Sequence, residues 1–160
     1  MSHCLARYRI FAIFLTMLFT INSAQADFAA GAQAYDAGDY TTAFTEWQVA
    51  AKSGDLAAMV AIADLYRRGT GRNPNAVKAF HWYQQAAKAG DAVAQMNLGE
   101  MYLNGWGVRS NRPRAWVWFD RAASQGRSWA RDQRMSLEKM MSSAQLATAR
   151  KLRRIEKERN

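Results

Sequence analysis

The sequence predicts an all-α fold, a solenoid of antiparallel helix hairpins, from three observations. The chain echoes itself every 36 residues: Gly54-Asp55, Gly90-Asp91 and Gly126 lie one period apart. Tyr66 and Tyr102, Gly69 and Gly105, Gly71 and Gly107, Trp82 and Trp118, and Ala86-Ala87 and Ala122-Ala123 recur at the same interval. Within a period, Ala94, Leu98, Met101 and Tyr102 fall at i, i+4, i+7 and i+8, which is one face of a helix. Self-similarity of this length marks a stacked helical array, in which each unit buries its apolar side only against its neighbours.

The elements follow in order. Residues 1–26 read as a secretory leader. Arg7 and Arg9 precede the apolar run from Ile10 to Ile21, and Ser23-Ala24-Gln25-Ala26 supplies small residues for cleavage before Asp27. That run falls short of the roughly 20 apolar residues needed to span a bilayer, so no transmembrane segment is expected after cleavage. The only cysteine, Cys4, leaves with the leader, so the exported chain has no disulfide and packing alone holds it together.

Residues 27–54 form a shortened opening hairpin, with a tight turn at Tyr35-Asp36-Ala37-Gly38-Asp39-Tyr40 and a second helix marked by Ala43, Phe44, Trp47, Ala50 and Ala51. Residues 55–90 and 91–126 are the two full repeats. In the latter a first helix runs through Tyr102, and Gly105 and Gly107 stop it, because glycine takes left-handed dihedrals that other residues resist. A second helix starts near Asn111-Arg112-Pro113, where proline is tolerated in the first turn. It carries Ala115, Trp118, Phe119, Ala122 and Ala123 inward. In the former repeat Ile62, Leu65, Tyr66, Ala79, Trp82, Tyr83, Ala86 and Ala87 stand in register. Residues 127–160 are a helical cap: 127–141 resemble one more first helix, and Ser142 or Ser143 caps a last helix with Leu146, Ala149, Leu152 and Ile155 on one face.

Charge is unevenly placed. Loss of Arg7 and Arg9 lowers the net charge from +9 to +7. Residues 27–126 hold 10 basic and 9 acidic groups, whereas 127–160 hold 10 and 4. The repeats lack a basic stripe, so no nucleic-acid partner is expected. The basic tail is either a solvated capping face or a weak contact for anionic envelope lipids or an acidic partner.

The residues offer little chemistry. His81 is the one histidine of the exported chain, and without a cysteine or second histidine it forms no zinc motif or Cys/His pair. No Gly-x-Ser-x-Gly elbow occurs. The glycine loops lack the strand and the Lys-Ser/Thr of a phosphate cradle. Asp64 and Glu100 hold equivalent first-helix positions, yet hairpin stacking sets them about 10 Å apart, with nothing expected to bury either. No catalytic residue, cofactor or metal is expected.

Leu98-Gly99-x-x-Tyr102-x-x-Gly105-x-Gly107-Val108, followed by Arg114-Ala115-x-x-Trp118-Phe119-x-x-Ala122-Ala123-x-x-Gly126, resembles the Sel1-like repeat, a relative of the tetratricopeptide repeat. Ala63 departs from the pattern at the Gly99 position, as do the loops at Arg72-Asn73-Pro74-Asn75 and Ser110-Asn111. The resemblance implies a right-handed superhelix that serves as an adaptor, scaffold or regulator, often in bacterial envelopes, and so a periplasmic or secreted protein.

By register with the tetratricopeptide pattern, the first helices line a concave groove. Its solvent-facing positions are Gln33 and Asp36, then Val60, Asp64, Arg67 and Arg68, then Met96, Glu100, Leu103 and Asn104. A face mixing charges with a few apolar atoms suits a polypeptide; it is equally a solvated helix surface. Trp106, where the other repeat has Thr70, is either a binding hot spot or folded back on the next hairpin. The expected partner is another protein, with a cell-wall or exported polysaccharide as the alternative.

Overall fold

A computed structural model describes residues 28–158; the expected leader, its expected cleavage point and the last two residues lie outside them. Every regular element among the described residues is a helix: α1 (28–36), α2 (Tyr40–Lys52), α3 (Leu56–Arg68), α4 (Ala76–Lys88), α5 (Ala92–Asn104), α6 (Arg112–Ser124), α7 (Ser128–Met140) and α8 (Ser143–Glu158). The architecture is an all-α repeat solenoid. Two compact units divide after Ala58, and each is described by itself.

The 36-residue echo has a specific cause at the helix starts. Asn75 and Asn111 cap α4 and α6, their side-chain oxygens accepting from the amides of Lys78 (2.9 Å) and Arg114 (3.0 Å). Asp39 caps α2 in the same way through Thr42. The aspartates that follow the repeated glycines are caps too: Asp55 accepts from Ala58 and Asp91 from Ala94. Each satisfies an amide that has no partner inside the helix. Where Arg127 takes the equivalent place, no side-chain cap forms.

In the N-terminal unit α1 and α2 close around Trp47. Its ring stacks on Phe28 (centroids 6.0 Å apart), lies 5.7 Å from Tyr35, and its indole N–H donates to the Phe28 carbonyl at 3.1 Å.

In the C-terminal unit one apolar core runs from Ala63 through Tyr83, Leu98, Phe119 and Leu137 to Ala149. α5 packs on α4 and α6, and both α7 and α8 pack on α6. Close approach is built from small residues facing aromatics: a Cβ on Gly99 would stand 2.6 Å from the Phe119 ring. Gly107 has φ +68°, and a Cβ there would collide with the Ala76 carbonyl, so the 105–110 loop rests on the start of α4 in the preceding hairpin.

The last hairpin dispenses with the glycine loop. Ser142 and Gln145 form a capping box, the Ser142 hydroxyl accepting from the Gln145 backbone amide (3.2 Å) and the Gln145 side-chain Oε1 accepting from the Ser142 backbone amide (3.0 Å). Two inward assignments need correction. Trp82 is only half-buried, whereas Trp118 is buried, and the buried aromatics of the first full repeat are Phe80 and Tyr83. Ile155 is exposed, while Leu146 and Leu152 are partly covered and Ala149 is fully buried. An amphipathic stripe fixes a face, not how far along the helix the neighbour extends.

Candidate functional site

α3 and α5 present equivalent faces, yet the two are built differently. On α3 the carboxylate of Asp64 is a hub. Arg67 donates to its Oδ1 through Nη2 (2.7 Å) and Nε (3.2 Å), and Tyr83 Oη of α4 donates to the same oxygen at 2.8 Å. Arg67 Nε also reaches Tyr83 Oη at 3.1 Å, and Arg68 Nε approaches Asp64 at 3.8 Å. Burial pushes the Tyr83 phenol above its ordinary range, and the adjacent Asp64 charge adds to this. The side chains of Asp64 and Arg67 remain about one-third exposed, at 31% and 33%. Their polar groups are thus held in place by a tyrosine from below, a preformed charged platform.

One period on, every partner is exchanged. Glu100 takes the place of Asp64, Leu103 of Arg67, Asn104 of Arg68, and Phe119 of Tyr83. Among the described residues no cation lies within ion-pairing distance of Glu100. Burial raises its pKa from the ordinary glutamate value, and the charge of nearby Arg67 opposes the shift. Met96 and Leu103 beside it are half-buried against the core. The expectation that nothing buries these carboxylates is therefore wrong for Glu100: its neighbour Leu103 is apolar and its support Phe119 has no hydroxyl to offer.

The structure brings Asp64, Arg67 and Arg68 together on α3, and sets Met96, Glu100, Leu103 and Asn104 on α5. Gln33 and Asp36 are exposed on α1 in the N-terminal unit. Tyr83 is the residue absent from the expected set that joins the Asp64 and Arg67 network. Its signal was present in the exchange of tyrosine for phenylalanine at positions 83 and 119. Trp106 sits in the loop between Gly105 and Gly107. It is 49% exposed, and the neighbouring Gly107 lies against Ala76 and Val77. His81 is exposed, its ring edge-on to Phe80 at 5.9 Å. Among the described residues no cluster of histidine, cysteine or carboxylates could hold a metal ion, and no helix is long and apolar enough to cross a membrane.

Comparison with known proteins agrees with this geometry. Residues 56–91 and 92–126 match the Sel1 repeat. A protective antigen present in uropathogenic Escherichia coli strains, displaying an SLR fold, superposes with a TM-score of 0.78 at 29% identity, covering 84% of this chain and 30% of that one. A Sel1 repeat protein from Oxalobacter formigenes gives a TM-score of 0.65 at 34% identity, covering 69% of this chain and 45% of its own. The chain thus spans less than half the length of either solved protein. No curated protein matches it.

Proposed function

Because the chain belongs to the Sel1 repeat family, whose members generally mediate protein–protein interactions, we propose that it is an exported, non-enzymatic scaffold or regulator of the bacterial envelope. Its partner is a polypeptide segment lying along the faces of α3 and α5. The observation that carries this reading is the pairing of two unlike stations one repeat apart. The Asp64–Arg67–Tyr83 platform offers fixed charge, and Glu100 with Met96 and Leu103 offers a lone carboxylate in an apolar setting. Such alternation suits a chain that presents a polar group and then a cationic or apolar side chain. A glycan surface favours a row of exposed aromatics, whereas Phe80, Tyr83, Tyr102, Trp116, Trp118 and Phe119 are buried here and, among the described residues, only Trp106 and Trp129 of the Phe, Tyr and Trp side chains are exposed.

The test is a photo-crosslinking amino acid at Leu103, introduced into the source cell. A protein adduct at 103 that disappears on Glu100→Arg supports the reading; adducts only to polysaccharide overturn it. Export is checked by N-terminal sequencing of the periplasmic or secreted protein, which should begin at Asp27. Hydrolytic turnover by the purified protein, lost on His81→Ala, would contradict the non-enzymatic reading.

A further inference from the structure

A second surface, sharing no residue with the α3 and α5 faces, lies where the end of α4, the end of α6 and the last turns of α8 meet. They enclose a cleft of about 380 Å³. Four cations line it, Lys88, Arg121, Arg153 and Lys157, against one acid, Asp120. That acid is already engaged, by Arg153 at 3.1 Å and by Arg134 at 3.2 Å. Glu156 approaches Arg121 at 3.0 Å. Among the described residues Lys88 and Lys157 have no ion-pair partner within 4.0 Å.

The floor of the cleft is built. Gln125 Nε2 donates to the Gly90 carbonyl (2.9 Å) and to Gln95 Oε1 (2.8 Å), and the buried Gln95 donates in turn to the Ala87 carbonyl (3.1 Å). Neither glutamine recurs at the equivalent positions of the previous repeat, which hold Met59 and Ala89. This floor therefore belongs to the one junction that α8 overhangs. α8 has 16 residues where α2 to α7 have 13 each, and Lys157 sits on its final turn. A second depression of about 220 Å³, lined by Arg150, Arg153, Arg154 and Lys157, continues from it along α8. Positions i, i+3, i+4 and i+7 share one helix face, so the cations form a tract about 10 Å long at 1.5 Å per residue.

We infer that this cleft and tract receive an acidic peptide segment, its carboxylates meeting Lys88 and Lys157 in the cleft and, beyond it, replacing Glu138 and Glu158, each 3.8 Å away, at Arg150 and Arg154. A recess with a stitched polar floor and cations on opposite walls fits a narrow chain bearing spaced carboxylates. A flat anionic membrane reaches the outer face of α8 but not Lys88 and Arg121 across the cleft.

The experiment measures binding of a fluorescent hexaglutamate peptide to the purified protein by anisotropy, beside co-sedimentation with vesicles of phosphatidylglycerol and phosphatidylcholine. Peptide binding that weakens as salt rises, and falls about tenfold or more in Lys88→Gln/Lys157→Gln, supports the inference. Among the described residues these lysines make no ion pair, so folding of the variant is expected; Lys88→Met/Lys157→Met, which removes the same charges, must show the same loss. Peptide binding that is absent, or equal in wild type and variants, overturns it. So does vesicle binding without peptide binding, which would assign the tract to lipid.

Discussion

Tyr83 and Phe119 hold the same place in successive hairpins, and the single oxygen between them changes the helix faces above. The Tyr83 hydroxyl donates to Asp64 and accepts from Arg67, fixing both. Tyr83→Phe should therefore loosen the α3 station at a cost of about 1 kcal/mol, read as a lower midpoint in urea, with little change of fold because phenylalanine already serves at 119. An unchanged midpoint would mean that the network contributes nothing. Glu100 supplies the converse case. Its pKa is raised by burial, so the native state holds its proton more tightly than the unfolded chain does. The stability this gives is fully present below the ordinary glutamate range and is lost as pH rises through the raised value. Glu100→Gln does not titrate, so at neutral pH the variant should melt higher than wild type, and the gap should close as pH falls through the raised value. A variant that melts lower at neutral pH would show that the carboxylate is stabilised by a partner. The sequence alone placed Asp64 and Glu100 in equivalent positions. It did not reveal their different partners, which are set by residues 3 and 19 positions further along (Arg67 or Leu103, Tyr83 or Phe119) acting across two helices.

At the level of the helix, the period and the faces were legible because an apolar stripe is a local property, while coverage depends on what comes next. Trp82 and Trp118 share a register, but only Trp118 lies under Arg121, whose guanidinium is 5.0 Å from the indole and in turn meets Glu156 of α8. Trp118→Ala should cost about 3–5 kcal/mol as a fully buried aromatic, and Trp82→Ala clearly less; equal losses in denaturant melts would contradict the packing. The glycine at the first-helix contact has a steric reason visible only in three dimensions. Gly99→Ala drives a Cβ into Phe119, and overpacking of this kind costs about 1–3 kcal/mol. Phe119→Leu should restore part of that loss if the ring is the obstacle, and a purely additive double variant would argue otherwise. The caps, by contrast, were partly readable: Asn111 beside Pro113 announced the start of α6, and its side chain does accept from Arg114.

A solenoid has an open apolar end wherever its repeats stop, and α8 covers the α6 side of this one. Ala149 is fully buried, Leu146 and Leu152 pack against the core, and two ion pairs, Arg121–Glu156 at 3.0 Å and Arg153–Asp120 at 3.1 Å, fasten the helix to α6. The sequence foretold a cap and a basic tail, because terminal repeats need a polar outer face and the positive excess gathers after residue 126. It could not foretell the cleft, since Lys88 and Arg121 lie 69 and 36 positions before Lys157 and join it only when α8 doubles back over α6. A chain ending at Met141 should expose the face that Ala149, Leu146 and Leu152 cover. Burial of apolar area contributes about 25 cal/mol per Å², so losing three such contacts together with both ion pairs should lower the melting temperature by several degrees and cause self-association. Sedimentation velocity separates the outcomes. If the shortened chain stays monomeric and melts like the full protein, α8 is an appendage rather than a cap. If it associates, and Leu146→Ser/Leu152→Ser in the full chain destabilises without driving association, then the backbone of α8 with Ala149 shields α6 while its leucines add packing. That distinction matters for the anionic-peptide site, because a cap held mainly by ion pairs at its end would move when a ligand competes for Arg153, whereas one held by its apolar face would keep the cleft rigid.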